Sequence, residues 1–337
     1  MSRRGYLAGA VGAGVALLAG CSQGNDDNGG GGGGGGADSM TIFHAGSLSA
    51  TFEDAQSKFE DENGVTVKRE AAGSVSSMKK ITNQGRKADV LGVSDFRLLR
   101  DDFLPDYANW YSVFTTNAMA IAYTKDSTGA DEIGTDNWWE ILARDDVTFA
   151  HSDPAADPNG YRSEMAMQLG KTPFEGERLY DDSTYQTLTD KAKVPTGTET
   201  DLIAQLHSGK LDYAWEYKSA GASHDVEVLD LQPAVDLSKA TSKYADHYAK
   251  AEVHAGDNKY TGAPIAYGIT VPSNAEHPDL GAKWVEFMVS AEGRSIVKDN
   301  GLQPVNPAIV PQAHKGKVPG GVMSHAEAKS ALGPIQL

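Results

Sequence analysis

A chain of 337 residues is long enough for about two domains, and its 40% hydrophobic and 23% charged residues are typical of a globular protein. Acidic residues outnumber basic ones by 46 to 30, so the formal net charge is −16. Because nucleic acids and anionic membrane surfaces attract basic patches, no nucleic-acid partner is expected. The single cysteine, Cys21, excludes an intramolecular disulfide and any cysteine-based metal cluster.

The first forty residues have the features of an export and anchoring segment. Residues 1–20 combine a charged start at Arg3 and Arg4 with an apolar stretch, which is typical of a secretory signal. The arginine pair indicates the twin-arginine export route. Because Leu-Ala-Gly before Cys21 resembles a lipobox, we expect a lipid on Cys21 that anchors the protein at the extracellular face of the cell membrane. An uncleaved anchor or an incidental cysteine is the alternative.

Residues 21–39 are predicted to form a tether. A polar stretch leads into an unbroken glycine run over residues 29–36. Such a run cannot bury apolar surface and loses much backbone entropy when it is ordered. We therefore expect a folded body that begins near residue 40 and is held by a flexible leash.

Strand-like and helix-like patterns alternate from residue 40 onward. Apolar residues recur at helical spacing between Leu48 and Phe59, and Asn63-Gly64 is a typical helix end. The first predicted elements are a strand over residues 41–45, a helix over 48–63, a strand over 65–69, a helix over 75–81 and a strand over 89–93.

A second set of alternating elements follows. It comprises strands over residues 118–123, 147–150, 211–217 and 265–271, helices over 138–142, 161–169 and 201–207, and a last helix with Trp284, Phe287, Met288 and Ala291 on one face. This alternation predicts an α/β fold with a mostly parallel sheet flanked by helices. No short repeat is visible, which argues against a solenoid, a propeller or a repetitive adhesive protein.

Four places share the same local chemistry, in which small or polar residues lie directly before or at a predicted helix start. Such starts offer unpaired backbone N–H groups and the positive end of a dipole, so several of them together could bind an anion without lysine or arginine. Taken singly, each is better explained as a helix cap or a turn, because that is the usual role of these residues. The four places are Gly46-Ser47, Gly73-Ser74, Asp157-Pro158-Asn159-Gly160 and Thr198-Glu199-Thr200-Asp201.

Signals for catalysis are weak. The nine histidines, His44 among them, form no pair or cluster with metal-ligand spacing. Neither a Gly-x-Ser-x-Gly motif nor a phosphate-binding Gly-x-x-x-x-Gly-Lys loop occurs. We predict no catalytic residues and no cofactor, and an extracellular hydrolase is the less favoured alternative.

Several motifs in one consistent order resemble the archaeal tungstate/molybdate-binding lipoproteins of ABC importers, over about residues 40–310. The resemblance implies a type II periplasmic-binding-protein fold, in which two α/β lobes joined by crossing strands close over a ligand. The corresponding lobes would be residues 40–117 with 268–337, and residues 118–267. The motifs are residues 44–48 (HAGSL), 69–75 (REAAGSV), 87–90 (KADV), 139–144 (WEILAR), 152–154 (SDP), 157–163 (DPNGYRS), 199–202 (ETDL), 212–214 (DYA), 216–219 (EYKS) and 267–272 (YGITVP).

The resemblance also assigns a ligand site. The first lobe would contribute Gly46, Ser47 and Ser74. The second would contribute Asp157, Pro158, Asn159, Glu199 and Tyr217. Family members often carry cysteine at the position of Asn159, and we expect the backbone to make that contact. The implied protein is a monomer that delivers its oxyanion to an ABC transporter permease.

Asp157 and Glu199 are the informative pair, because two carboxylates beside a dianion should repel it. They fit a ligand whose metal centre accepts further oxygen donors beyond its four oxo groups, as tungsten and molybdenum do. The carboxylates would then select against sulfate and phosphate. Alternatively, Asp157 caps the helix of Tyr161 and Glu199 helps to cap the helix of Asp201. A separate alternative is that the same fold binds another small oxyanion or a carboxylate.

Overall fold

The computed structural model describes residues 39–196 and 198–337. The predicted signal segment, Cys21 and the predicted tether up to residue 38 lie outside the described residues. Within the described part of the chain, no helix has the length and apolar character needed to cross a membrane.

The strands are β1 (Ser39–Ala45), β2 (Thr66–Ala72), β3 (Val90–Val93), β4 (Ser112–Thr116), β5 (Met119–Tyr123), β6 (Phe149–Ala150), β7 (Tyr213–Tyr217), β8 (Glu227–Asp230), β9 (Glu252–Ala255), β10 (Asn258–Thr261), β11 (Ala266–Thr270), β12 (Gln303–Pro311), β13 (Ala326–Lys329), β14 (Ala331–Leu332) and β15 (Ile335–Gln336).

The α-helices are α1 (Ser49–Asn63), α2 (Ser74–Thr82), α3 (Trp138–Leu142), α4 (Pro158–Lys171), α5 (Asp182–Lys191), α6 (Glu199–His207), α7 (Ala220–Ser223), α8 (Ser242–Tyr248), α9 (Pro278–Val289), α10 (Ala291–Asp299) and α11 (Gly320–Met323). Short 3-10 segments lie at Gly46–Leu48 and Gln312–Lys317, and a π-helical turn at Leu98–Phe103.

Two sheets form the centres of two lobes. The larger has the order β13-β12-β4-β11-β3-β1-β2, and the smaller has the order β6-β7-β5-β8. We call the corresponding parts of the molecule the large-sheet lobe and the small-sheet lobe. The chain crosses between them where β4 leads through Asn117 into β5, and it returns through the hairpin β9–β10 into β11. The predicted two-lobed α/β fold with crossing strands is confirmed.

The prediction of a mostly parallel sheet was wrong, because both sheets are mixed. Strands β2, β1 and β3 are parallel neighbours, as the strand–helix–strand pattern implies. Strand β11 is antiparallel to β3 and β4, and β4 is antiparallel to β12. In the small sheet only β6 and β7 run parallel. The antiparallel pairs bring together strands that are distant in sequence, and local periodicity carries no information about their direction.

Most predicted elements occur within a few residues of their expected bounds. Helix α1 ends where predicted, because Gly64 adopts the left-handed conformation with φ of 64° that glycine tolerates best. The predicted helix that carries Trp284 and Ala291 on one face is two helices in the structure. Ser290 separates α9 from α10 and accepts a hydrogen bond from the Gly293 amide. Ala291 therefore belongs to the next helix.

Aromatic packing holds the helices of the large-sheet lobe together. Phe52 and Phe59 lie on the buried face of α1, about two helical turns apart. Both rings contact Trp284 of α9 edge to face, with centroids 5.4 and 5.0 Å apart. This contact fixes α1, and with it the turn at Gly46–Leu48 that precedes it.

Candidate functional site

The four predicted helix starts lie together where the two lobes meet. The Ser47 amide of the large-sheet lobe donates to the Glu199 carboxylate at the start of α6. The Glu199 amide faces Asp157 at the start of α4. The Ser76 amide, in the first turn of α2, donates across the lobes to the Ala156 carbonyl oxygen at 3.2 Å. A chain of contacts thus links all four starts.

Two glycines allow this close approach. A Cβ atom on Gly46 would lie 2.8 Å from Oε1 of Glu199. A Cβ atom on Gly73 would collide with the carbonyl oxygen of Ala156. Neither glycine has a positive φ, so it is the contact between lobes, and not backbone strain, that requires the missing side chain.

Asp157 caps its own helix and also reaches the neighbouring one. Its Oδ1 accepts from the Asn159 amide at 3.1 Å, which is a standard N-cap contact. Its Oδ2 accepts a longer bond of 3.4 Å from the Glu199 amide. The side chain is buried, with 1% exposure. Helix capping therefore accounts for the contact of Oδ1 but not for that of Oδ2.

Glu199 does not cap α6. That role belongs to Thr198 and Asp201, since the Thr198 amide donates to Oδ2 of Asp201 at 2.7 Å. Oε1 of Glu199 instead accepts from the Ser47 amide at 2.6 Å, across the lobes. Its buried Oε2 has no hydrogen-bond partner within residues 39–196 and 198–337. Glu199 is therefore not a helix cap in this structure.

Glu216 is a third buried carboxyl group in the same place, which our sequence analysis did not single out as a site residue. It lies on β7, next to Tyr217, and its Oε1 is buried without a hydrogen-bond partner in the described part of the chain. Burial, followed by the nearby charge of Asp157, raises the pKa of Glu216 well above its usual range. A charged residue inside an otherwise apolar strand was the available signal.

The pKa of Glu199 is raised for the same reasons. Burial contributes most, followed by the neighbouring carboxyl group of Asp157 and then by the charge of Glu216. Three carboxyl groups thus share a space where ionisation of one disfavours ionisation of the next. A ligand that supplies positive charge to these oxygens would relieve this repulsion.

Ser74, Pro158 and Asn159 lie at the starts of α2 and α4, behind the residues that line the small cleft, and they differ in donor capacity. The Ser74 hydroxyl lies 3.0 Å from the Ser94 hydroxyl and accepts from the Ser94 amide. Pro158 is the first residue of α4 and has no N–H to offer to an anion. The side-chain oxygen of Asn159 accepts from Ser152 and Ser163, and its buried amide nitrogen lacks a partner among the described residues.

Tyr217 ends strand β7 and lies on the wall of the cleft. The cleft is lined by Gly46, Ser47, Glu199, Glu216 and Tyr217, among others. Tyr267, whose ring centroid lies 6.0 Å from that of Tyr217, donates from its hydroxyl to Oγ of Ser47 at 3.0 Å. The small cleft thus has backbone and hydroxyl donors on one side and carboxylate oxygens on the other.

His44, the histidine expected nearest the cleft, belongs to the core. Its Nδ1 lies 2.8 Å from the Ala45 carbonyl oxygen, and its ring packs against Phe52. Burial lowers the pKa of His44 to about 4, so the ring is neutral at physiological pH. This is the environment of a structural histidine.

A larger open groove, of about 800 Å³, lies elsewhere on the small-sheet lobe. It is lined by residues 124–128, by 206–209 and by 224–227, among others. Among the described residues, none of its lining side chains has a buried polar atom without a partner. We therefore assign the site to the cleft between the lobes, where such atoms occur.

Comparison with known proteins identifies the family. The sequence pattern of the bacterial extracellular solute-binding proteins matches residues 40–303. The chain belongs to this family. Members are extracellular transport proteins and the family is not one of enzymes, which agrees with the prediction of a solute-binding protein of an ABC importer.

Two relatives and one solved structure extend the comparison. This solute-binding protein is 39% identical to a solute-binding protein of Methanoculleus marisnigri, over 86% of this chain and 87% of that one. It is 37% identical to the molybdate/tungstate-binding protein WtpA of Pyrococcus abyssi, over 90% and 95%. The periplasmic molybdate-binding protein of Azotobacter vinelandii has the same fold, with a TM-score of 0.51, 16% identity and coverage of 78% and 98%.

Proposed function

We propose that this solute-binding protein captures tungstate or molybdate in the cleft between its lobes and delivers it to an ABC transporter permease. The oxyanion would contact Gly46, Ser47 and Ser74 from one side, and Asp157, Pro158, Asn159, Glu199 and Tyr217 from the other. The similarity to WtpA, which is named for these two ligands, supports the choice of anion.

One observation carries the proposal: Asp157 and Glu199 lie together, fully buried, at a site built from helix starts. Sulfate would meet two carboxyl groups there, and its sulfur atom cannot add their oxygens as further ligands. A tungsten or molybdenum centre can add carboxylate oxygens as ligands, because it is a hard, high-valent metal. The two carboxylates then attract the cargo instead of repelling it and exclude sulfate.

We also propose how the protein is exported, anchored and divided into lobes. We infer a lipid anchor on Cys21, a signal over residues 1–20 that uses the twin-arginine route, and a tether over residues 21–39. The lobes are assigned to residues 40–117 with 268–337 and to residues 118–267. The protein acts as a monomer, without catalysis and without a resident cofactor.

The substitution Glu199→Gln tests whether this carboxylate is a ligand. Glutamine has nearly the same shape and can still accept from the Ser47 amide, so the lobes can meet as before. If Glu199 ligates the metal, tungstate affinity should fall at least about tenfold, or about 1.4 kcal/mol. If Glu199 only repels anions, both tungstate and sulfate should bind more tightly. Isothermal calorimetry with tungstate, molybdate and sulfate measures the difference.

Asp201→Asn is the matched control. Asp201 lies in the same first turn of α6, but its carboxylate bonds the Thr198 amide and its side chain is exposed. We expect this variant to bind tungstate like the unchanged protein. Sulfate binding as tight as tungstate binding in the unchanged protein would overturn the proposed selectivity.

A further inference from the structure

A second group of buried charges, separate from the carboxylates of the cleft, joins the two lobes. We call Asp95, Arg97 and Arg162 the interlobe ion cluster. Asp95 and Arg97 follow β3 in the large-sheet lobe, whereas Arg162 belongs to α4 on the small-sheet lobe. Oδ2 of Asp95 lies 2.7 Å from Arg97 and 3.2 Å from Arg162. The Arg162 and Asp95 side chains are only 2% and 3% exposed.

The cluster contains two positively charged side chains and one negatively charged side chain. Burial alone would raise the pKa of Asp95, but the charges of Arg97 and Arg162 outweigh it and hold the pKa well below its usual range. Asp95 also accepts from the Tyr161 hydroxyl at 2.8 Å. Arg97 binds Asp95 through both carboxylate oxygens, so Asp95 has a complete ion-pair partner without Arg162. The positive charge of Arg162 is therefore available for another role.

Arg162 makes its other contacts toward the cleft. Its Nη1 donates to the Ser94 carbonyl oxygen at 2.8 Å and to the Tyr217 hydroxyl at 2.8 Å. The Ser94 amide in turn donates to the Ser74 hydroxyl. Arg162 therefore touches one residue assigned to the oxyanion, Tyr217, and the direct neighbour of another, Ser74.

The contact with Tyr217 determines where that hydroxyl can point its hydrogen. A phenol that accepts from a guanidinium uses its oxygen for that bond and must donate its own hydrogen elsewhere. The bond also withdraws electron density from the oxygen and so strengthens the phenol as a donor. Within the described residues the Tyr217 hydroxyl has no acceptor for its hydrogen, and because Tyr217 lines the cleft, that hydrogen can point toward the ligand space.

We infer that Arg162 is a positioning residue for oxyanion capture: it fastens α4 to the large-sheet lobe and at the same time turns the Tyr217 hydroxyl into a donor aimed at the oxyanion. This inference rests on the proposed function. It explains how a protein with a net charge of −16 can assist an anion with a buried cation that never touches it. When the lobes close, Arg162 reaches Asp95 and Ser94 while it holds the Tyr217 hydroxyl, so the same closure completes the site.

A double-mutant cycle tests the inference. Arg162→Met, Tyr217→Phe and the combined variant are compared with the unchanged protein by calorimetry with tungstate. Each single change should weaken binding about tenfold, the loss expected for one hydrogen bond involving a charged group. The combined variant should be no weaker than the weaker single variant, because both changes remove the same donor. Arg162→Lys should recover part of the affinity that Arg162→Met loses.

Small-angle scattering with and without tungstate gives a second measurement. The unchanged protein should contract when tungstate binds, and Arg162→Met should contract less. Arg144→Met is the control, because Arg144 pairs with Glu132 on the surface of the small-sheet lobe. It should leave affinity and contraction unchanged.

The outcomes separate this inference from the proposed function. If the unchanged protein binds neither tungstate nor molybdate, both fall. If it binds tungstate and the two substitutions are additive, or Arg162→Met binds and contracts normally, only the role of Arg162 is overturned. Should Arg162→Met fail to fold, the cycle is run with Arg162→Lys, for which the same non-additivity is expected.

Discussion

Two buried groups of charges lie where the lobes of this protein meet, and they differ in how their charges are balanced. In the interlobe ion cluster, Asp95 is matched by two arginines and by the Tyr161 hydroxyl. In the cleft, Asp157, Glu199 and Glu216 are close together, and two of the three carry a buried oxygen without a partner among the described residues. The first group joins the two lobes, whereas the three carboxyl groups of the second all belong to the small-sheet lobe and disfavour one another's ionisation.

The difference shows how stability and binding are divided within one interface. A buried ion pair stabilises the fold only when all its partners are present, and removing one is costly. Buried carboxyl groups that lie close together cost stability when they ionise in the ligand-free protein, and a cation or a metal centre that binds them removes this cost. Binding energy at such a site includes the relief of this repulsion, so the same carboxylates that weaken the free protein add to its affinity and selectivity.

The largest effect is expected when the balanced cluster is broken. Asp95→Ala leaves Arg97 and Arg162 buried with no counter-charge, and the free energy of unfolding should fall by about 3–5 kcal/mol. Urea denaturation of the ligand-free protein measures it. Asp101→Ala is the control, since Asp101 pairs with Arg100 at the surface and should matter by less than about 1 kcal/mol. Equal losses for the two variants would show that the cluster does not stabilise the protein.

A smaller and opposite effect is expected in the cleft. Because the pKa of Glu216 is raised in the folded state, the native protein holds this proton to higher pH than the unfolded chain does. Its contribution to stability therefore falls as pH rises from the unfolded pKa, near 4.3, through the folded one. Across that window the loss is about 1.4 kcal/mol for each pH unit.

Glu216→Gln removes this titration, so the ligand-free variant should gain stability over the unchanged protein, and the gain should grow as pH rises above the unfolded pKa. Thermal unfolding at several pH values measures the gain. Glu227→Gln, an exposed change on strand β8 of the same sheet, should show no such trend. A constant difference between Glu216→Gln and the unchanged protein at all pH values would mean that Glu216 is not a strained carboxyl group.

Much of the fold could be predicted from local patterns. Helix α1 follows from the spacing of Phe52, Ala55 and Phe59 and from the end signal at Gly64. The direction of β11 and β12 could not be predicted, because strand pairing between residues more than a hundred positions apart leaves no periodic trace. The mixed character of both sheets therefore became visible only in three dimensions.

Some residues of the site could likewise be predicted from local sequence signals, and others could not. Ser47, Asp157 and Glu199 could be proposed because each lies at or next to a helix start, which is a local signal. Their convergence required the resemblance to a family, since nothing local links Ser47 to a residue 152 positions away. The role of Arg162 could not be read at all, because its partners Ser94, Asp95 and Tyr217 come from both lobes.

The most direct test of the account is the coordination of the bound metal. X-ray absorption at the tungsten edge, on the protein loaded with tungstate in solution, counts the oxygen neighbours of the metal. We predict the four oxo groups plus additional, longer carboxylate contacts, which decrease in number in Glu199→Ala. A tungsten centre with only its four oxo neighbours in the unchanged protein would contradict the claim that Asp157 and Glu199 are its ligands.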